Sequence, residues 1–236
     1  MTNFIPNHCF QLKIIFLSIV FASCSSDSGK TLALIEPTEP KQRNLFRIVI
    51  LGDSLTEGYG VSEQQAYPTL LETRLNQEFS LDRNTSFEVI NAGISGATTS
   101  GGVSRIDWLL KSTPNFLVIA LGGNDGLRGV PVVETQKNLE NIILAAKAKS
   151  IPTLLAGMKI PPNYGIEYTR NFSKLYNDLA RANKVAFLPF LLEGVGGIAS
   201  MNLPDRIHPN PAGHQKIAET VYPVSYTHLR AHETSL

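Results

Sequence analysis

The chain has 236 residues, 43% of them hydrophobic and 17% charged, with 21 basic residues set against 20 acidic ones. That apolar content fills one substantial core and excludes an intrinsically disordered chain. The near-zero net charge, with no basic run or basic helix face, excludes the electrostatic footprint of a nucleic-acid binder.

The first segment in chain order is a leader. Lys13 precedes the apolar run Ile14 to Ala22, which is too short to span a bilayer as a mature helix and has the length of the apolar region of a secretory signal, with small residues at Ala22 and Ser23. It ends "VFASCSS" and resembles the lipobox of bacterial lipoproteins, in which the cysteine becomes the lipidated first residue; Phe21 departs from the Leu, Val or Ile usual at that place. The resemblance implies a lipoprotein-type signal peptide over 1–23 and lipidation at Cys24. It also implies an exported bacterial protein, periplasmic or on the outer membrane, attached to the membrane by that anchor. An ordinary signal peptide with an incidental cysteine, or an uncleaved N-terminal anchor, are the alternatives. Cys9 lies upstream of the cut, so the mature chain would hold Cys24 alone and no internal disulfide. Residues 24–44 are polar and proline-containing and read as a tether.

The body, 45–223, alternates short apolar runs with amphipathic segments. The runs "FRIVIL" (46–51), "FEVIN" (87–91), "FLVIAL" (116–121), "TLLAG" (153–157) and "VAFLPF" (185–190) read as buried strands. Pro68, Leu70, Leu71, Leu75 and Phe79 mark one helix; Val103, Ile106, Leu109 and Leu110 mark a second; Val133 to Ala148 form a third. Strict alternation of strand and helix predicts an α/β fold in which a five-stranded parallel sheet is covered on both faces. The segment "VSYTHLRAHET" (224–234) has no apolar period and resembles a translated sequencing adapter, so 224–236 is expected to be a non-native tail in which the helix pattern stops.

In such a sheet, functional groups belong in the loops beyond the carboxyl ends of the strands. Those loops read "GDSLTEG", "NAGISGATT", "GGNDGLRG" and, after a longer glycine-rich excursion at 191–204, "PDRIHPNP". Ser54, at the start of a helix, is the candidate nucleophile. A serine hydroxyl needs a base, and the base needs a group that fixes its tautomer; His208 and Asp205 suit those roles. Pro209 keeps His208 out of the helix that Asn210 caps and Pro211 opens. Three donors could meet a developing oxyanion: the backbone N–H of Ser54, the N–H of Gly93 and the amide of Asn124. Gly93 is expected to let the backbone approach substrate with no Cβ in the way. Taken singly, these features also read as a cap, two turns and a loop hydrogen bond; their placement on one sheet edge is what joins them. His214 reads as a packing or capping residue, and Asp125 and Arg128 as structural partners. The D-x-x-H-x5-H spacing lacks a third ligand for a metal, and the glycines of "GDSLTEGYG" lack the lysine of a phosphate-binding loop.

Together "GDSL" (52–55), Gly93 in "NAGISG", "GGND" (122–125) and "DRIHP" (205–209) match, in order and spacing, the four signature blocks of the SGNH hydrolases of the GDSL family. The phrases "ILGDSLTEGYG", "GGNDGLRG" and "PPNYG" resemble its bacterial arylesterase, acyl-CoA thioesterase and lysophospholipase subgroup. The resemblance implies a flavodoxin-like three-layer α/β/α sandwich and a serine esterase with no metal or organic cofactor. Carried over block by block, Ser54 is nucleophile and oxyanion donor, Gly93 and Asn124 complete the oxyanion hole, and Asp205 and His208 complete the triad. The implied partner is a small acyl ester or thioester, lysophospholipids among them. Two other readings stay open: a carbohydrate O-acetyl esterase of the same fold, and a non-catalytic lipid- or glycan-binding lipoprotein. Arg206 departs from the family, which often has glycine there.

Overall fold

In the computed structural model, residues 44–79 and 85–233 are described, so the leader, Cys24 and nearly all of the tether lie outside the described residues. The elements in order are β1 (Asn44–Gly52), α1 (Ser54–Glu57), α2 (Tyr67–Phe79), β2 (Thr85–Gly93), α3 (Thr99–Leu109) and β3 (Phe116–Ala120). There follow α4 (Gly123–Leu127), α5 (Val132–Ala148), β4 (Thr153–Ala156), α6 (Ile166–Asn183), β5 (Ala186–Leu188) and α7 (Pro211–Glu233).

All five expected strands form, and they join one parallel sheet in the order β2-β1-β3-β4-β5. Ile48 to Leu51 of β1 and Phe116 to Ala120 of β3 are essentially unexposed, because both faces of these central strands are covered. Hence their continuous rather than alternating apolar character. Helices α2 and α7 pack together, while α3, α5 and α6 pack in a second row. Right-handed crossovers require this division, since the chain moves one way from β1 to β2 and the other way through β3 to β5.

Register sets the functional edge. Gly52 pairs with both Gly93 and Ala120, so β1, β2 and β3 end in one row. Because β1 leads outward on one side and β3 on the other, the crevice of a doubly wound sheet opens here.

Two differences from the expected elements have physical causes. Helix α6 was not among the expected helices, yet it buries Phe172, Leu175, Tyr176 and Leu179, a clear apolar stripe. Helix α7 continues through Pro223 to Glu233, past the expected break at 224. At Tyr222 it is anchored to α2: the Arg74 guanidinium lies 3.9 Å from the Tyr222 ring centre, and the Tyr222 hydroxyl donates to Glu78. Ser225, buried beside it, donates to the Val221 carbonyl at 3.1 Å.

Candidate active site

The Ser54 side begins with a close approach of helix to sheet. A Cβ on Gly52 would lie 1.9 Å from Thr56 Oγ1, and one on Gly93 would lie 2.1 Å from the Glu57 backbone nitrogen. Only glycine at both positions lets α1 lie across the ends of β1 and β2. The glycine at 93 is thus required by the packing of α1, a role that the sequence reading did not give it. Asp53 caps α1, its Oδ1 accepting from the Leu55 N–H at 3.0 Å. Ser54, 9% exposed, thus sits at the first helical position of a capped turn.

On the His208 side, one carboxylate organises the loop. Asp205 Oδ1 accepts the backbone N–H groups of Ile207 at 2.9 Å and His208 at 3.0 Å, and Oδ2 accepts His208 Nδ1–H at 2.7 Å. These bonds, the His208 backbone N–H foremost, hold the Asp205 carboxyl down at about 2. It is therefore ionised at neutral pH, which keeps the imidazole proton on Nδ1 and leaves the Nε2 lone pair for a donor. That donor is in place: Ser54 Oγ lies 3.0 Å from His208 Nε2, across 154 residues of sequence. The Tyr59 ring lies against the imidazole at 4.5 Å between centroids. Asn210 caps α7 through the Gly213 N–H at 3.1 Å. The excursion at 191–204 braces the loop, Leu203 N–H donating to the His208 carbonyl at 2.7 Å and Asn210 N–H to the Met201 carbonyl at 3.0 Å.

The other two candidate donors are engaged. Asn124 Nδ2 donates to Asp53 Oδ2 at 3.3 Å and to the Ala97 carbonyl at 3.1 Å, and the Gly93 N–H donates to Asn91 Oδ1 at 2.9 Å. An oxyanion would draw on these hydrogens in competition with their present acceptors. Burial pushes the Asp53 carboxyl up to about 6, against the Leu55 N–H and the nearby His208. Sequence reasoning missed Asp53 as the acceptor that aims Asn124, and missed Arg105 altogether. Arg105 reaches from α3 to donate to the carbonyls of Ala92 at 2.5 Å and Gly52 at 2.7 Å, closing the ends of β1 and β2 together. No sequence pattern marks that span.

The remaining candidates sit apart from the Ser54–His208 contact. Buried Asp125 accepts from Thr99 N–H and Oγ1, and Arg128 donates to the Gly96 carbonyl at 3.1 Å, both structural. His214 is fully buried and its Nδ1 accepts from the Tyr67 N–H at 3.3 Å. Among the described residues no three His, Cys, Asp or Glu side chains gather where a metal ion could be held.

Residues 50–216 match the model of the GDSL-like lipase/acylhydrolase family. The chain belongs to this family. Among GDSL relatives, esterase TesA of Pseudomonas aeruginosa is 40% identical over 193 residues, 81% of this chain and 92% of its own. Thioesterase 1/protease 1/lysophospholipase L1 of Escherichia coli is 34% identical over 220 residues, 93% of either chain. The crystal structure of the psychrotrophic esterase EstA from Pseudoalteromonas sp., inhibited by monoethylphosphonate, superposes with a TM-score of 0.72 at 31% identity, covering 78% of this chain and 98% of that one. The fold is that of the SGNH esterases, and the protein is a hydrolase of the GDSL family.

Proposed function

We propose that this GDSL hydrolase cleaves small acyl esters or thioesters, lysophospholipids among them, through an acyl-enzyme on Ser54. The observation that carries the reading is the relay from Asp205 through His208 to Ser54, with both links at hydrogen-bonding distance, 2.7 Å and 3.0 Å. His208 Nε2 takes the Ser54 proton as Oγ attacks the carbonyl carbon, and ionised Asp205 stabilises the imidazolium. The oxyanion accepts from the N–H groups of Ser54 and Gly93 and from Asn124 Nδ2. His208 then gives its proton to the departing alkoxide or thiolate, and a water deprotonated by His208 releases the acid and frees Ser54.

The test is hydrolysis of p-nitrophenyl esters from acetyl to palmitoyl by a chain beginning at Ser25, with Ser54→Ala as control. Serine-dependent turnover of medium or long chains is expected. Turnover of acetyl alone would favour the carbohydrate O-acetyl esterase, and no turnover by a folded sample would favour a binding lipoprotein. We also propose that the "VFASCSS" leader is used for export and that Cys24 carries the anchor; Cys24→Ala should then move the full chain out of the membrane fraction.

A further inference from the structure

Three fully buried polar residues join the two halves of the site with no hydrogen bond to either catalytic side chain. Thr56 lies on α1 two residues after Ser54, Tyr67 opens α2, and His214 lies on α7 six residues after His208; each is 0% exposed. Thr56 Oγ1 and the Tyr67 hydroxyl share a hydrogen bond of 2.7 Å, and the Tyr67 N–H donates to His214 Nδ1 at 3.3 Å. The Tyr67 ring also stacks on the His214 imidazole, 6.3 Å between centroids and 15° between planes. One residue thus grips the nucleophile helix with its side chain and, with its backbone, the helix that follows the loop of the base.

Packing alone does not account for this chain of polar groups. Because Nδ1 accepts, the His214 proton is on Nε2, and that atom is buried with no hydrogen-bond partner among the described residues. An unsatisfied buried donor is costly, and hydrocarbon side chains of the same shape would fill the space without it. Helix α1, four residues long, is also too short to hold itself in place. Its hold on Ser54 depends on what it touches.

We propose that Tyr67 is a positioning residue that sets the separation of Ser54 and His208, acting through Thr56 on one side and His214 on the other. The inference rests on the serine-hydrolase reading above. A displacement of about 1 Å between reacting groups lowers rates by about a hundredfold, so the smaller slip allowed by losing one of these bonds should lower kcat about tenfold.

The test uses the full chain with Tyr67→Phe, Thr56→Val, their double variant, His214→Gln and His214→Leu. Tyr67→Phe and Thr56→Val should each lower kcat for p-nitrophenyl butyrate about tenfold with KM within about twofold. The double variant should be no slower than either single one, since both remove the same bond. His214→Gln, which keeps an acceptor, should retain more kcat than His214→Leu. Amide hydrogen exchange should report the coupling independently of turnover: Thr56→Val should speed exchange at 205–214 on the far side of Tyr67 while β3 stays protected. Additive losses in the double variant, a rise in KM at constant kcat, or faster exchange confined to α1 and α2 would each overturn the proposal. A wild type without serine-dependent turnover would sink the hydrolase reading instead, and the exchange measurement would still decide whether Tyr67 couples the two segments.

Discussion

The two halves of the site are held by opposite means. Ser54 is 9% exposed and fixed from below, by two glycines that let α1 rest on the sheet and by a buried cap. Asp205 has a side chain 38% exposed and is fixed from within its own loop, by three hydrogen bonds spanning four residues. The first arrangement fails when anything is added, because there is no space; the second fails when one acceptor is removed, because a single carboxylate takes all three bonds and the backbone bonds from 201–203 brace only the loop's outer edge.

The largest effects are expected where both halves meet. Ser54→Ala and His208→Ala should each lower kcat by at least about 10^4-fold, and the double variant should be no slower than either, since the groups act as a unit. Asp205→Ala should cost less, about 10^3- to 10^4-fold, because water can partly replace an exposed orienting group. Steady-state kinetics on p-nitrophenyl butyrate checks all three; an Asp205→Ala enzyme within tenfold of wild type would show that the local acceptor does not hold the base.

Stability should separate the halves in the opposite order. Gly93→Ala forces a Cβ into the backbone of α1 and should destabilise the fold by roughly 2–4 kcal/mol, as overpacking and backbone strain do together. Asp205→Ala at pH 7 should stay within roughly 1 kcal/mol, since the carboxylate is 38% exposed and water can take over the donors that it now accepts. Urea unfolding measures both, and equal losses would erase the distinction drawn between a packed half and a hydrogen-bonded half.

Acid should act through the buried connection between the halves. Burial, with His208 nearby, lowers His214 to about 4 from an ordinary value of 6.5. The unfolded chain takes up this proton below pH 6.5 while the folded one resists until about 4, so stability is lost as pH falls through that window. The ceiling is on the order of 3 kcal/mol. Asp53, raised by burial to about 6 from 3.8, works the other way: its cost to the fold is relieved as pH falls from 6. Comparing the melting temperature of wild type with that of His214→Gln isolates the histidine. The advantage of wild type should shrink between pH 7 and 4.5, and a constant gap would mean that the imidazole is not held neutral.

What could be read from the sequence follows the same division. The strands were legible because β1 and β3 are buried on both faces and so carry unbroken apolar runs. The gathering of Ser54, Asn124, Gly93 and the Asp205–His208 loop on one edge was legible because a parallel sheet sends its carboxyl-end loops the same way. Helix α6 could have been read from Phe172, Leu175, Tyr176 and Leu179, whose spacing is helical. The supports were not legible. Arg105 meets two backbone carbonyls, and the donor to His214 is the Tyr67 N–H, 147 residues away. Main-chain partners leave no side-chain signature, and the volume denied to a Gly93 Cβ exists only once α1 is in place.

The smallest effect concerns the one place where the 205–208 loop opposes its own sequence. Arg206 lies between Asp205 and the Ile207–His208 pair with φ at +58°, in the left-handed region that glycine adopts freely and other residues resist. The three hydrogen bonds to Asp205 hold the backbone there despite the side chain. Arg206→Gly should relieve a strain of about 1 kcal/mol, and the greater freedom of glycine in the unfolded chain should return part of it, leaving a gain of a few tenths. Turnover should barely change, because the geometry of Asp205 and His208 is set by hydrogen bonds that do not involve the Arg206 side chain. A marked rise in kcat with no change in stability would instead mean that the left-handed arginine displaces His208, and that the hydrogen-bonded half is less well set than its distances suggest.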